Sequence, residues 1–250
     1  MAEIGKQSKL RVVKEVDFGL YLDGEGLGEI LLPSRYVPRY CKVDDRVNVF
    51  VYRDSEDRII ATTEIPYAMV GDFALLKVVS VNHIGAFLDW GLSKDLLVPF
   101  AEQNTVMKEG LSYIVRVYVD KRTNRIAASS RLDKFLDQKT ASFQVGWEVD
   151  LFICNQTDIG YKAIMNSSHW GLLHFRDVYQ TLRKGEKIKG LIKKIREDNK
   201  IDLCLHKLGY EKVNDLTELI IAALKKRGGY LSITDKSSPE EIYQLFGVSK

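Results

Sequence analysis

The sequence predicts a mainly β protein made of three small five-stranded barrels in tandem and a short helical segment after them. Three observations carry this. The stretch VDFGLYLDG (16–24) returns as NHIGAFLDWG (82–91) and, more faintly, as TDIGYKAIM (157–165). Each copy has companions at a nearly fixed distance. Pro33, Pro99 and His174 stand 14 residues after Gly19, Gly85 and Gly160, and Arg58, Arg125 and Lys200 follow 25, 26 and 26 residues later. Between these marks, short runs of β-branched and aromatic residues alternate with turn residues, as in small all-β domains. A self-similarity of about 70 residues sets the architecture before any local motif is read.

The first unit reads LRVVKEV, GLYLD, GEILLP, RVNVFVY and RIIATTE, which are five strands. The second offers DFALLKVVSV, GAFLDW, DLLVPF, SYIVRVYV and RIAASS, and the third EVDLFICN, GYKAIM, GLLHF, KIKGLIKKI and KIDLCLH. Five short antiparallel strands with a longer connection between the third and fourth fit a closed or partly closed Greek-key barrel of the OB type. Those connections, 34–46, 100–111 and 175–186, have room for a helical turn. Gly19, Gly85 and Gly160 fall inside strand pattern, where glycine permits the bend or bulge by which a small barrel closes.

After Lys207 the composition changes. VNDLTELIIAALKKRGG (213–229) has leucine and isoleucine at helical spacing and ends in basic residues followed by glycines, as a helix should. A second helix starts at SSPEEIYQLFG, with Ser238 as N-cap, Pro239 at the first helical position, two acids in the first turn and Gly247 as the stop. Ser249 follows as the cap of a further helix, the recognition helix of a helix-turn-helix, which lies outside this sequence. The expected domains are 1–66, 67–141 and 142–210 for the barrels and 211–250 for a partial winged-helix-like segment.

The 250 residues favour one to three domains, and the repeat points to the upper end. A hydrophobic share of 45% with 28% charged residues describes an ordinary folded protein rather than a disordered one. No apolar run approaches a membrane span and residues 1–10 lack a signal core, so no membrane partner and a cytoplasmic location are expected. Cys41, Cys154 and Cys204 are scattered without a CxxC pair, which argues against a disulfide framework or a thiolate metal site. They are expected to pack as small apolar groups.

Catalytic and cofactor patterns fail one by one. His169 and His174 have no third ligand nearby for zinc. GEGLG (24–28) has the wrong glycine spacing for a dinucleotide site, and GEKIKGLI puts Leu191 and Ile192 where a phosphate loop needs Lys and Ser or Thr. There is no GxSxG, and no carboxylate pair recurs as acid and base. No enzyme, cofactor or metal is expected.

The net charge of +3 is modest, but its distribution is uneven. Residues 1–66 carry 10 basic and 12 acidic side chains, whereas residues 142–210 carry 11 and 8. Within RKGEKIKGLIKKIREDNK (183–200), eight Lys or Arg face three acids. A solvated face is the plain explanation of such a run. A phosphate-tracking surface is the sharper one, and it would use Lys193, Lys194, Arg196 and Lys200.

FGLYLDG, IGAFLDWG and the GLLH of the third copy, with late (D/N)-x-R-I strands, resemble the S1-type RNA-binding domain. That domain is an OB variant whose pattern runs FGAFV, GLxH, then RIxLS. Three such units before a winged-helix-like end resemble the conserved virulence factor B family of bacterial RNA-binding regulators, over 10–207 for the barrels and 211–250 for the last module. The resemblance implies binding positions at Phe18 and Tyr21, at Phe87 in the second aromatic place, at His174, and at the late cations Arg58, Arg125 and Lys200. Lys162 holds the second aromatic place of the third copy, Ile84 and Ile159 hold the first in copies two and three, and Pro33 and Pro99 replace the histidine. No barrel has the full set, so the resemblance implies modest affinity shared among units. It also implies single-stranded RNA as ligand and rings that face outward, stacking on unpaired bases while Lys and Arg answer the phosphates. Two alternatives stay open: an adaptor that docks a protein through the terminal helices, and a DNA-binding regulator using the same helices.

Overall fold

The structure, a computed structural model, describes residues 1–137, 143–178, 180–205, 220–234 and 237–246. The strands fall into three groups of five. The first holds β1 (Gln7–Val16), β2 (Gly19–Asp23), β3 (Glu29–Pro33), β4 (Arg46–Arg53) and β5 (Ile59–Thr62). The second holds β6 (Phe73–Asn82), β7 (Gly85–Asp89), β8 (Leu96–Pro99), β9 (Ser112–Val119) and β10 (Ile126–Ser129). The third holds β11 (Glu148–Thr157), β12 (Gly160–Met165), β13 (His169–His174), β14 (Lys187–Ile195) and β15 (Ile201–Cys204). Each longer connection opens with one 3-10 turn, at Ser34–Tyr36, Phe100–Glu102 and Phe175–Asp177.

The first and third groups close in the same order, with the third strand meeting the fifth in parallel. The seams differ in length. In the first barrel only Leu31 and Ile60 are paired across it; in the third, Gly171, Leu172 and Leu173 pair with Ile201, Asp202 and Leu203. The second group keeps the neighbours but has no ladder between β8 and β10, so it is the partly closed form.

The repeat's fixed spacing has a direct cause. Gly19 lies opposite Pro33, Gly85 opposite Pro99 and Gly160 opposite His174 in the β2–β3, β7–β8 and β12–β13 ladders. A Cβ on these glycines would stand 2.2, 2.3 and 2.1 Å from the carbonyl oxygens of Leu32, Val98 and Leu173. Glycine is therefore required for close approach of two backbones. The expected bulges occur elsewhere: the register slips between Val12 and Lys14, Val78 and Ser80, and Ile153 and Asn155, in the first strand of each barrel. Those slips supply the bend that the glycines were expected to supply.

Residues alternate in and out along each strand, and the inward rows form the cores. Val12, Leu22, Ile30 and Leu32 lead the first, Val78, Leu88, Leu96 and Val98 the second, and Leu151, Ala163, Leu173 and Ile192 the third. Phe50, Tyr52 and Ile60 of the first barrel pack into the core of the second, where Phe50 meets Trp90 edge-on at 5.6 Å between ring centres. Tyr36 Oη and Ser93 Oγ share a hydrogen bond of 2.9 Å across the same contact. Met1–Phe135 thus forms one compact unit, and Leu136–Lys250 a second. Cys154 and Cys204 are buried and Cys41 is half-buried. Burial pushes the Cys154 thiol up to about 12, which suits an inert packing role.

In the third barrel a polar cluster ties three strands together. Arg196, just after β14, donates from Nε and Nη2 to Asp202 on β15 at 2.8 and 2.6 Å, and His174 Nε2 on β13 stands 3.1 Å from Asp202 Oδ1. Burial lifts the Asp202 carboxyl, but the hydrogen bonds from Arg196 and His174 outweigh it and hold the group below the usual carboxylate range.

At the C-terminal end, helix α1 is described over 220–226 and α2 spans Pro239–Phe246. Ser238 caps α2 as expected. Its Oγ accepts from Glu241 N at 3.2 Å, and Glu241 Oε2 accepts from Ser238 N at 3.1 Å, a reciprocal capping box. Residues 213–219 of the first expected helix, the Gly247 stop, the Ser249 cap and His206 at the end of the last expected strand lie outside the described residues.

Two outcomes follow. Gly160→Ala should destabilise the second unit by more than about 1 kcal/mol in urea unfolding, because the methyl has nowhere to go without parting β12 from β13. Asp202→Asn should cost about 1–3 kcal/mol at neutral pH. Because the folded carboxyl titrates below the unfolded one, its contribution is present above an unfolded value of about 3.9 and is lost as pH falls through the folded value. The acid limb of the stability curve, followed by circular dichroism, should therefore be shallower in the variant.

Candidate nucleic-acid interface

Each barrel's first hairpin turns in two residues, because Val16 pairs with Gly19, Asn82 with Gly85 and Thr157 with Gly160. The second turn residue is left in solvent: Phe18 is 57% exposed, Ile84 46% and Ile159 57%. Beyond the turn, strand alternation puts Tyr21, Phe87 and Lys162 on the outer face, half-buried, opposite Leu31, Leu97 and Leu172. The same three-point surface, an apolar tip, a long side chain and a leucine, thus recurs on all three barrels. On an OB barrel this second-and-third-strand face, with the loops at its edges, is where oligonucleotides bind.

The rings expected to face outward do so. Phe18 and Tyr21 sit edge to face with ring centres 6.4 Å apart, and Lys14 Nζ lies 4.5 Å from the Tyr21 ring centre while also reaching Glu29 at 3.2 Å. In the second barrel Phe87 and Arg125 come together as walls of a 240 Å³ pocket. In the third, Lys162 and Lys200 line a 610 Å³ concavity, with Lys162 Nζ 3.8 Å above the Trp170 ring. His174, Lys193, Lys194 and Arg196 do not line it.

Most of the expected cations already have an acid partner. Arg58 donates from Nε to Asp54 at 2.8 Å and pairs with Glu56 at 2.9 Å, which raises its pKa. Arg125 donates from Nε to Asp57 at 2.6 Å; this hydrogen bond holds the Asp57 carboxyl below its usual range. Lys200 reaches Asp198 at 2.7 Å, and Lys193, at a register slip in β14, reaches Asp177 at 2.5 Å. Arg196 and His174 are spent on Asp202. Lys194 is exposed and makes no ion pair among the described residues. The basic run of 183–200 is therefore neutralised locally along much of its length. Exposed pairs of this kind are weak and exchange readily for another anion.

These faces also carry side chains that the sequence reading did not take as binding positions. Ile84 and Ile159 carry the tip position without a ring, Phe100 and Phe175 stand 45% and 38% exposed just after β8 and β13, and Trp170 faces outward on β13. The signal for the first pair was their place one residue before the repeated glycine, where Phe18 stands in the first copy. For the second pair it was the shared VPF and LHF endings. Among the described residues no cluster of His, Cys, Asp or Glu is placed to hold a metal, and no helix is long and apolar enough to cross a membrane.

Comparison with known proteins agrees with this layout. Residues 4–64 match the S1 domain and residues 218–250 match the CvfB-like winged helix domain, both nucleic-acid-binding types of domain. The Bacillus subtilis protein YitL is 27% identical over 98% of this chain and 85% of its own length. Conserved virulence factor B of Staphylococcus saprophyticus is 22% identical over 84% of this chain and 72% of its own. A solved multidomain protein with nucleic acid binding domains from Streptococcus pneumoniae is 23% identical, covering 98% of this chain and 89% of that one at a TM-score of 0.45. With an S1 domain match at one end, a CvfB-like winged helix match at the other and relatives that span both, the chain is similar to YitL and conserved virulence factor B along most of its length.

Proposed function

We propose that this protein is a non-catalytic, cytoplasmic regulator of RNA or gene expression that binds single-stranded RNA across the outer faces of its barrels. The observation that carries the reading is the Phe18–Tyr21 pair, two rings held at the surface beside Lys14 on the face an OB barrel offers to a strand. Unpaired bases stack on such rings, and a duplex does not present them. The domains that share the work are 1–66, 67–141 and 142–210, with 211–250 as an accessory module. Phe87 with Arg125, and Lys162 with Lys200, give the second and third barrels smaller versions of the first site. In the same reading Arg58 on the first barrel and Lys193, Lys194 and Arg196 on the third offer further phosphate contacts outside these pockets, with His174 a polar neighbour held by Asp202. Because acids already hold several of these cations, stacking contributes more than charge, and linkage of weak sites raises the local concentration for the next contact.

Binding of a fluorescent oligoribonucleotide, read by anisotropy, tests this. The Phe18→Ala/Tyr21→Ala variant should bind at least about tenfold more weakly, since each base–ring stack contributes roughly 1–3 kcal/mol, and its circular dichroism should match the wild type. The labelled RNA should stay intact with magnesium present. A wild-type protein that shows no salt-sensitive binding, or that is competed equally by duplex DNA, would overturn the reading.

A further inference from the structure

The pocket on the second barrel is built differently from the open faces beside it. It lies at the seam where β8 and β10 fail to pair, with Leu96, Leu97 and Pro99 on one side and Ile126 and Ala127 on the other. Phe87 and Trp90 add aromatic surface, and the first barrel supplies a wall through Tyr52 and Arg53. Its 240 Å³ falls below the roughly 300–1,000 Å³ usual for drug-sized ligands, which suits one flat heterocycle.

That wall is pinned in place. Lys94, lowered in pKa by burial and then by Arg125, donates from Nζ to the carbonyls of Arg53 and Asp54 at 2.9 and 2.8 Å. Trp90 Nε1 donates to Lys94 O at 2.6 Å, Arg53 Nε donates to Asn124 O at 3.2 Å, and Arg125 holds Asp57. The bonds of Lys94, Arg53 and Arg125 cross from one barrel to the other and make a cavity that exists before any ligand arrives, which lowers the cost of filling it.

One polar group of the lining is unspent. Asp95, an exposed residue of the lining, makes no hydrogen bond among the described residues, while Arg53, Lys94 and Arg125 are all engaged. A carboxylate offers two acceptors side by side. Guanine presents two adjacent donors on its Watson–Crick edge, the ring N1–H and the exocyclic amine. Adenine and cytosine present one amine each, and uracil flanks its single N–H with carbonyl oxygens that a carboxylate repels.

We propose, resting on the single-strand RNA reading above, that this seam pocket takes one base flipped out of the bound strand, stacked on Phe87, and selects guanine through Asp95. Arg125 stands at the rim, where a backbone phosphate can replace Asp57 as its partner.

The test uses the full chain and two fluorescent oligomers of about 12 nucleotides, within the length one or two OB barrels cover. One is all uridine and the other has a single central guanosine. The guanosine oligomer should bind about tenfold more tightly, the discrimination expected of one bidentate base contact. Asp95→Ala should bring the ratio of the two affinities close to one, and so should Leu97→Trp, which fills the pocket, with thermal melting of each variant used to verify the fold. Equal binding of both oligomers by the wild type, or a ratio that survives both substitutions, overturns the guanine pocket and leaves RNA binding standing. Failure of both oligomers to bind overturns both.

Discussion

The structure depends on one short contact made three times: a glycine at the start of the second strand pressed against the carbonyl of the third, with 2.1 to 2.3 Å left where a side chain would begin. This contact draws the two strands together directly behind a two-residue turn. The turn then has no option but to project its second residue into solvent, and the outer face of the next strand starts in a fixed phase. The exposed tip, the ring or lysine three residues on, and the leucine across from it all inherit their positions from this approach. The interval from the glycine to Pro33, Pro99 or His174 is the length of chain needed to go out along one strand and return along the next.

Much of this was legible in the sequence. All fifteen strands, the tandem of barrels and the 3-10 turns after the third strands could be read from the alternation of apolar and turn residues. The identity of the glycines as structural could be read as well, although their cause could not, since a bulge and a backbone approach leave the same mark in one dimension. The bulges themselves fall at Val13, Val79 and Cys154, residues that look like ordinary strand formers. The orientation of Phe18, Tyr21 and Phe87 rested on resemblance alone, because parity is lost across a turn, and the ladders restore it. Pairing of cations was the least legible property. Arg58 and Lys200 have acids two to four residues away, whereas the partner of Arg125 is Asp57 in another barrel, and no local pattern links them.

Those pairings change how the surface works. A face of free lysines and arginines would hold any polyanion and would lose it steeply as salt rises. Here Asp54, Asp57, Asp198 and Asp202 occupy the guanidinium and ammonium groups beside the candidate sites, and in doing so mimic the phosphates those groups would otherwise seek. On the reading proposed above, a strand would have to displace an internal anion at Arg58, Arg125 and Lys200, so that charge alone would contribute little there and contacts with bases would gain weight. The modest net charge of the chain is consistent with a protein that discriminates by fit more than by attraction.

The shared core around Phe50 and Trp90 has a wider effect on how the molecule tolerates change. Two barrels that bury side chains in each other cannot melt one at a time without exposing apolar surface on the survivor, so they behave as a single cooperative block, while the third barrel keeps a core of its own. Damage to either of the first two is damage to both.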